Sequence, residues 1–313
     1  MRTNATLAGP VLLVDGGGTK TRAVLVGPDD RRLGEGLAGP SNLMIGVATA
    51  RQAVSAACEQ ALAGAGQGGT IPPLHCAMAG AGNLQLCQDF SAIEPAPETL
   101  VTDAFASMIG AMGGKPGVGL VVGTGSAGYC LDERGQIREG GGWGLAIGDE
   151  GSGAWIGRAA VTLTVKIIDG QGDPILDGIA ADERLAFGRV QLQTVGNSRT
   201  DLLEWVRQAS PATFASLTPS IVALAGSGNQ VAVRLLEKAG EDLEMLCQAL
   251  DGRGTLSVAM IGGLAPHLQP YLPADLAERV NPPVGDVIDG LLALARGRVP
   301  AASFHDSPLL GGK

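Results

Sequence analysis

The sequence contains few residues of several kinds, and each shortage excludes a class of protein. Only 17% of the 313 residues are charged and 3% are aromatic, whereas 45% are hydrophobic. This composition is typical of a folded globular protein, and the length is sufficient for two domains. Lysine and arginine form no cluster and the net charge is −9, so we expect no binding to nucleic acids or membranes. A small-molecule substrate is the better expectation.

Cysteine, histidine and long apolar runs are also scarce. The five cysteines are odd in number and contain no CxxC pair, which argues against a structural zinc site and a disulfide framework. The three histidines are scattered and indicate no metal site. No apolar run approaches the roughly 18 residues of a transmembrane helix, and the first run, Val11–Val14, is too short for a signal peptide. These features predict a cytoplasmic protein with reduced thiols.

Glycine, by contrast, is about twice as common as in an average protein, with 49 residues. The first glycine cluster lies in the sequence Asp-Gly-Gly-Gly-Thr-Lys-Thr at positions 15–21, between the apolar runs Val11–Val14 and Ala23–Val26. We interpret it as the open turn of a β-hairpin, because glycine has no Cβ to block a phosphate and successive N–H groups can converge on an anion. The predicted phosphate-binding residues are Gly16, Gly17, Gly18, Thr19 and Lys20.

The carboxylate of Asp15 stands directly beside this predicted phosphate turn. A phosphate alone would repel it, so we expect Mg²⁺, bound through its waters, to lie between the two. A plain glycine-rich hairpin turn is the alternative interpretation. The motif is neither a Walker A loop nor a dinucleotide fingerprint, because a strand rather than a helix follows it.

Along the chain, the first part has the predicted order β-β-β-α-β-α-β-α, including a helix over 43–63, and the second part begins at Gly117 with another strand, turn and strand. Here the turn is Gly-Thr-Gly-Ser at 123–126, and the second strand, Ala127–Leu131, ends at Asp132. A glycine-dense loop at 140–153, a mostly helical region to 250, a strand at 256–261 and a helix at 286–294 follow. This duplication predicts an α/β protein with one domain of residues 1–114 plus 286–313 and another of residues 115–285.

The duplicated arrangement resembles the sugar kinase and actin superfamily, in which two ribonuclease H-like (actin-like ATPase) domains face an interdomain nucleotide and sugar cleft. Residues 15–21 resemble its first phosphate motif, Gly123–Ser126 the second, and Gly262-Gly263 the glycines on the adenosine side. The run Gly142–Gly157, Gly-Trp-Gly-Leu-Ala-Ile-Gly-Asp-Glu-Gly-Ser-Gly-Ala-Trp-Ile-Gly, is similar to the signature of the BadF/BadG-type ATPases. Within that family the chain is most similar to the N-acetylglucosamine and glucosamine kinases, over residues 11 to 295.

The resemblance implies an ATP-dependent enzyme that uses Mg²⁺ and phosphorylates the 6-hydroxyl of N-acetylglucosamine or glucosamine. It implies that Asp103, at the end of a predicted strand and the start of a helix, is the general base. From the residues alone, Asp103 could equally be the N-cap of that helix. The nucleotide-binding residues implied in the second domain are Gly123, Thr124, Gly125, Ser126, Gly262 and Gly263.

The resemblance also implies a set of sugar-binding residues, namely Asn42, Thr124, Asp149 and Glu150. Without it, Asn42 would be taken for a turn residue, and Asp149 and Glu150 for caps of the following helix. Trp143 is expected to pack rather than to contact ligand. The better-studied N-acetylglucosamine kinases have a sugar-contacting Asn directly after the Gly-Thr-Gly-Ser turn, where this chain has Ala127, so the identity of the amino sugar stays open.

Three other functions occur among the proteins that the chain resembles. An ATPase activator of a reductase or dehydratase would hold an iron–sulfur cluster through cysteines at a dimer interface, for which the five cysteines show no grouping. Another acceptor, such as anhydro-N-acetylmuramic acid, stays open. A sugar-sensing repressor is not expected, because only ten residues precede Val11 and the net charge is acidic. The resemblance is compatible with a homodimer.

Overall fold

Two β-sheets organise the computed structural model, which describes residues 9–66 and 70–300. The chain divides into two units. Unit 1 comprises Met1–Gly119, Leu131–Ile137 and Pro282–Lys313, and unit 2 comprises Leu120–Cys130 and Arg138–Asn281. The domain limits and the interdomain cleft expected from the sequence stay predictions.

The first sheet has five strands in the order β3-β2-β1-β4-β5. These are β1 (Val11–Gly16), β2 (Thr21–Val26), β3 (Arg32–Ala38), β4 (Leu74–Met78) and β5 (Thr99–Val101). Strands β1, β2 and β3 are antiparallel neighbours, whereas β4 pairs parallel to β1 and β5 parallel to β4. Strands β1 and β4 are mostly apolar because they are buried interior strands of the sheet.

Three helices follow these strands in unit 1, α1 (Val47–Gly64), α2 (Leu84–Ser91) and α3 (Asp103–Ala111). The predicted order β-β-β-α-β-α-β-α is confirmed, and α1 forms a buried apolar cluster with β1, β2 and β4. The single helix predicted over 43–63 is wrong at its start. A 3₁₀ turn at Leu43–Ile45 comes first, and Gly46, with φ +122°, separates it from α1.

The last described helix, α12 (Val287–Ala295), belongs to unit 1 and packs against α3. Asp286 caps it in a capping box, and one carboxylate oxygen of Asp286 also accepts a hydrogen bond from Arg22 at 2.9 Å. Close packing of the two helices depends on Gly110 and Gly290, because a Cβ on either would lie within 2 Å of a backbone oxygen of the other segment.

The second sheet has the order β8-β7-β6-β9. Its strands are β6 (Gly117–Val122), β7 (Ser126–Leu131), β8 (Ile137–Gly141) and β9 (Val258–Ile261). This order repeats β3-β2-β1-β4 of the first sheet, so the duplication predicted from the two glycine turns is confirmed. Strand β8 was not predicted, because its sequence Ile-Arg-Glu-Gly-Gly has no alternating apolar pattern and none of its residues is buried.

The region between β8 and β9 is helical, as predicted. Its α-helices are α4 (Gly153–Asp169), α5 (Ala181–Val195), α6 (Arg199–Gln208), α7 (Pro211–Ala215), α8 (Thr218–Gly226) and α9 (Gln230–Leu250). Two short helices, α10 (Ala265–Leu268) and α11 (Ala274–Ala277), come after β9. Within the described ranges no helix combines the length and apolar character needed to cross a bilayer, and the five cysteines form no disulfide.

Candidate active site

The turn between β1 and β2 has glycines for two different physical reasons. A Cβ on buried Gly16 would lie 2.4 Å from the sulfur of Met78 and 2.5 Å from the hydroxyl of Ser41, so the packing itself requires glycine there. Gly18 faces open space, and the nearest atom to a Cβ on Gly17 would be 3.6 Å away. The turn closes through a hydrogen bond from the N–H of Gly17 to the carbonyl of Lys20 at 3.0 Å. Gly17 and Gly18 therefore leave room for a ligand beside the turn.

Asp15 lies at the end of β1, opposite Arg22 in the β1–β2 register. Burial, together with the negative charges of Asp103 and Asp286, raises the pKa of Asp15 to about 6, against the opposing effects of Arg22 and Lys20. The guanidinium of Arg22 is already paired with Glu35 at 2.7 Å and Asp286 at 2.9 Å. A carboxylate in this environment would gain from a cation beside it.

The donor chemistry at Asp15 fits Mg²⁺, which prefers oxygen ligands and commonly takes one or two protein carboxylates besides water and phosphate. No group of three or more His, Cys, Asp or Glu side chains able to hold a metal ion occurs in the described part of the chain. A cation at Asp15 would therefore depend on water and phosphate for its remaining ligands.

Asp103 is the first residue of α3, and the cap of this helix is its neighbour Thr102, whose hydroxyl accepts a hydrogen bond from Phe105 N–H at 3.1 Å. The alternative interpretation of Asp103 as the N-cap is therefore wrong. Burial raises the pKa of Asp103, although N–H groups of the first helical turn lower it. Since its charge also raises the pKa of Asp15, the fold brings these two carboxylates into one electrostatic site.

Asn42 lies in the same unit, just before the 3₁₀ turn. Its Oδ1 accepts a hydrogen bond from Met44 N–H at 2.9 Å, and a Cβ on Gly80 would be 2.8 Å from that oxygen. The side-chain nitrogen makes no hydrogen bond to any described residue. Asn42 therefore stabilises a turn through its oxygen and still has its N–H₂ donors for a ligand.

The second glycine turn, between β6 and β7, rests on the start of α4. Gly123 N–H donates to Gly125 O at 2.9 Å, while the first two amides of α4 donate to the carbonyls of Gly123 at 2.8 Å and Thr124 at 3.0 Å. The cap of α4 is Ser152, whose hydroxyl accepts from Trp155 N–H at 3.1 Å. The interpretation of Asp149 or Glu150 as helix caps is therefore wrong.

The two acidic residues of the glycine-dense loop differ sharply in exposure. Asp149 is buried, whereas Glu150 is exposed. The Ser126 hydroxyl is buried and donates to the carbonyl of Glu150 at 2.7 Å. Trp143 is 60% exposed, so the expectation that it packs is wrong.

Two cavities adjoin the second turn within unit 2. One of about 380 Å³ is lined by residues of the turn and of the glycine-dense loop, among them Thr124, Ala127, Gly144 and Asp149. The other, of about 500 Å³, lies between the turn, α4, α8 and the segment after β9. Its lining residues are Gly123, Thr124, Gly153, Ala215, Thr218, Pro219, Val222, Gly263, Leu264 and His267. Thr124 borders both cavities.

Of the two glycines after β9, Gly262 is required by the packing and Gly263 faces open space. Gly262 has φ +107°, and a Cβ there would lie 2.3 Å from the carbonyl oxygen of Val122, so it is required by the fold. Gly263 lines the larger cavity, and a Cβ there would have no neighbour within 4 Å. Six lining residues, Ala215, Thr218, Pro219, Val222, Leu264 and His267, were not predicted from the sequence.

Comparison with known proteins places this geometry in a family. Residues 13–287 match the BadF/BadG/BcrA/BcrD ATPase family. The chain belongs to this family, which confirms the resemblance stated from the glycine motifs. Three relatives are informative, a glucosamine kinase of Vibrio cholerae, an N-acetylmuramic acid/N-acetylglucosamine kinase of Clostridium acetobutylicum, and a structure from Chromobacterium violaceum.

These relatives align over most of their length. The V. cholerae protein is 29% identical over 297 residues, covering 90% of this chain and 94% of the relative. The C. acetobutylicum protein is 29% identical over 252 residues, covering 77% and 78%. The C. violaceum protein, provisionally assigned as an N-acetylglucosamine kinase, is 35% identical with a TM-score of 0.76, covering 91% and 98%. The two-domain α/β fold class of the family's sugar kinases is thereby confirmed.

Proposed function

We propose that the protein is an ATP-dependent kinase that phosphorylates the 6-hydroxyl of an amino sugar, glucosamine or N-acetylglucosamine, with Asp103 as the general base. The observation that carries this proposal is the state of Asp103, a partly buried carboxylate in the first turn of α3 that is not the cap of this helix and that acts electrostatically on Asp15. The relatives support the reaction class, since two bear names of amino-sugar kinases and align with at least 77% of this chain.

The acceptor end of the reaction is assigned to Asp103 and Asn42 in unit 1. The carboxylate of Asp103 accepts the proton of the 6-hydroxyl as the oxygen attacks the γ-phosphorus. The raised pKa of Asp103, caused by burial, makes its carboxylate a stronger base than an ordinary aspartate. The free N–H₂ group of Asn42 would donate to a sugar hydroxyl.

The phosphate end in unit 1 is assigned to the first glycine turn. The exposed backbone of Gly17 and Gly18, with the side chains of Thr19 and Lys20, would bind phosphate oxygens. Asp15 would hold Mg²⁺ through water, and the ion would neutralise charge on the phosphates during transfer. Lys20 is exposed and lies near enough to Asp15 to lower its pKa, so it could serve the same phosphates.

In unit 2 we assign the nucleoside to the cavity of about 500 Å³, whose size suits a nucleotide and whose wall is partly apolar at Ala215, Pro219, Val222 and Leu264. Gly123, Thr124, Gly125 and Ser126 form the phosphate turn at its edge. Gly263 also lines the cavity, and its neighbour Gly262 is assigned to the nucleotide with it. Thr124, which lines the smaller cavity, and the exposed Glu150 are assigned to the sugar.

Substituting Gly263 by Val tests the nucleotide assignment. Because a Cβ there meets nothing within 4 Å, the side chain should enter the cavity without disturbing the fold. We expect the KM for ATP to rise at least tenfold, equivalent to about 1.4 kcal/mol of lost binding. The KM for the amino sugar and the Tm should stay close to those of the unaltered protein.

The measurement is sugar-dependent ADP release under varied ATP. An unchanged KM for ATP in Gly263→Val would remove the nucleoside from this cavity. If the unaltered protein releases no ADP in response to any amino sugar, the proposed function itself is wrong.

The alternative function, an ATPase activator of a reductase or dehydratase, gains no support from the environment of the cysteines. Cys58, Cys76, Cys130 and Cys247 are all buried. Burial raises the pKa of the Cys58 thiol to about 12 and that of Cys247 to about 11, and it also raises the pKa of Cys76. Thiols of this kind are poor candidates for a cluster shared between subunits.

A further inference from the structure

We infer that Thr21 is a positioning residue for the acceptor sugar, because its buried hydroxyl holds the segment 39–42 against the first phosphate turn. This inference rests on the proposed function, in which Asn42 binds the sugar and the turn at residues 16–20 binds phosphate. Thr21 is the last residue of the motif Asp-Gly-Gly-Gly-Thr-Lys-Thr, and it is not among the predicted phosphate-binding residues.

Thr21 lies where the chain re-enters the core after the first glycine turn. Gly18, Thr19 and Lys20 are exposed, whereas Thr21, the first residue of β2, has no exposed surface. Burying a hydroxyl is costly unless the hydroxyl is hydrogen-bonded. The partners of the Thr21 hydroxyl therefore indicate what the residue does at this position.

Both partners of the Thr21 hydroxyl belong to the segment that leads to Asn42. Oγ1 of Thr21 donates to the carbonyl of Gly39 at 2.6 Å and is hydrogen-bonded to Oγ of Ser41 at 2.7 Å. A hydroxyl has one proton and two lone pairs, so both hydrogen bonds form when the Ser41 hydroxyl donates to Thr21. Ser41 is also fully buried. The two hydroxyls thus satisfy each other inside the protein.

Segment 39–42 depends on these contacts because it has no secondary structure of its own. It runs between the end of β3 and the 3₁₀ turn. Gly39 and Pro40 are exposed, and proline has no N–H to donate. The buried side chain of Ser41 is therefore the anchor of the segment.

Backbone hydrogen bonds attach the same segment to the phosphate turn and to the end of β4. The N–H of Ser41 donates to the carbonyl of Gly17 at 2.9 Å, and the N–H of Leu43 donates to the carbonyl of Ala79 at 2.9 Å. The N–H of Ala79 in turn donates to the carbonyl of Gly16 at 2.8 Å. Asn42 is therefore held between two anchors that both lead to the first phosphate turn.

The contact of Ser41 with Gly16 shows how closely the segment and the turn are packed, since a Cβ on Gly16 would lie 2.5 Å from Oγ of Ser41. Loss of the Thr21 hydroxyl would leave the Gly39 carbonyl and the Ser41 hydroxyl without their partner, which is costly in a buried place. The segment should then shift, and the N–H₂ group of Asn42 should move away from the position that suits the sugar.

Two substitutions at Thr21 separate its hydroxyl from its shape. Thr21→Val keeps the branched shape without the hydroxyl, and Thr21→Ser keeps the hydroxyl without the methyl group. Val54→Ala, in the buried cluster that α1 forms with the sheet, is the matched control for a loss of stability alone. The readouts are the KM for the amino sugar, the Kd of a non-hydrolysable ATP analogue with Mg²⁺, and the Tm.

We expect Thr21→Val to raise the KM for the amino sugar by about tenfold, as for loss of a buried hydrogen-bond partner. The Kd of the analogue should change by no more than about threefold, because the turn keeps its own hydrogen bond from Gly17 N–H to Lys20 O. Thr21→Ser should keep the sugar KM within about threefold of the unaltered protein. Val54→Ala should lower the Tm and leave both binding constants within that limit.

A double-mutant cycle tests whether Thr21 acts through Asn42. Asn42→Asp keeps the oxygen that accepts from Met44 N–H and removes the N–H₂ donors. In that variant, adding Thr21→Val should raise the sugar KM by no more than about threefold, since the group that Thr21 positions is already lost. The full effect of Thr21→Val in the double variant would overturn the inference.

An unchanged sugar KM in Thr21→Val would also overturn the inference, and so would equal losses in Thr21→Val and Thr21→Ser, which would assign the effect to the methyl group. If Thr21→Val does not fold, Ser41→Ala, which leaves the hydrogen bond from Thr21 to Gly39 in place, decides by the same comparisons. Absence of sugar-dependent turnover in the unaltered protein would instead contradict the proposed function.

Discussion

Replacing Asp103 by Asn should lower the kcat for sugar phosphorylation by about 10²- to 10⁴-fold, the usual contribution of a general base. The amide has nearly the same shape but cannot accept the proton of the 6-hydroxyl. Binding of MgATP should be retained, because no contact to the nucleotide is assigned to Asp103. Single-turnover rates and the Kd of a non-hydrolysable ATP analogue measure the two effects separately.

The pH dependence of kcat/KM provides a second test of Asp103 as the general base. Burial raises the pKa of Asp103 above its ordinary value of 3.8, so the base becomes protonated at a higher pH than a typical aspartate. The kcat/KM of the unaltered protein should therefore fall as pH decreases through that raised pKa. In Asp103→Asn the limb due to this base should be absent, and an acid limb that remains would belong to Asp15, whose pKa is raised to about 6 in the unaltered protein.

Thr102→Ala is the matched control for Asp103→Asn. It removes the hydroxyl that caps α3 and should cost about 0.5–2 kcal/mol of stability while most of kcat is retained. If Asp103→Asn loses stability but keeps turnover, and thus behaves like Thr102→Ala, then Asp103 is not the base.

Substituting Gly290 by Ala should lower the free energy of unfolding by about 2–3 kcal/mol. Its Cβ would lie 1.9 Å from the carbonyl oxygen of Ala106 in α3, and the backbone cannot yield without separating α3 from α12. Overpacking of this kind costs about 1–3 kcal/mol and sometimes more, which exceeds the 0.5–1 kcal/mol that alanine gains in a helix. Denaturant and thermal unfolding measure the effect.

Gly64→Ala provides the control for this substitution. Gly64 is the last residue of α1, and a Cβ there meets nothing within 4 Å. The same change should therefore be neutral or stabilising by up to about 1 kcal/mol. Equal stability changes in the two variants would show that the close contact of α3 and α12 does not contribute as described.

The strand–turn–strand units could be predicted because their physics is local. Val11–Val14 is a continuous apolar run, and the glycines after it indicate a turn whatever the rest of the chain does. The same reasoning predicted the turn at Gly123–Ser126. Because the strand–turn–strand unit is repeated, the second sheet has the same strand order as the first four strands of the first sheet. The position of Asp103 at the change from a strand to a helix was also predicted, whereas its role as the base comes from the family resemblance and stays a prediction.

Other features depend on tertiary contacts that no local pattern reveals. Thr102 and Asp103 are both good N-caps, and only the backbone conformation decides that Thr102 is the cap. Val222 and Pro219 lie on an apolar helix, which is also what a core helix looks like, so their place in a cavity wall has no sequence signal. Ser152 and Asp149 are likewise both suitable residue types for the N-cap of α4, and the structure shows that Ser152 is the cap.

The central claim is best tested by coupled ADP release with MgATP against glucosamine, N-acetylglucosamine, N-acetylmannosamine, anhydro-N-acetylmuramic acid and glucose, with 6-deoxyglucosamine as the acceptor lacking the reactive hydroxyl. The account predicts strong turnover with glucosamine or N-acetylglucosamine and none with the 6-deoxy sugar. It would be contradicted by ATP hydrolysis that is independent of sugar, or by the absence of a response to every sugar.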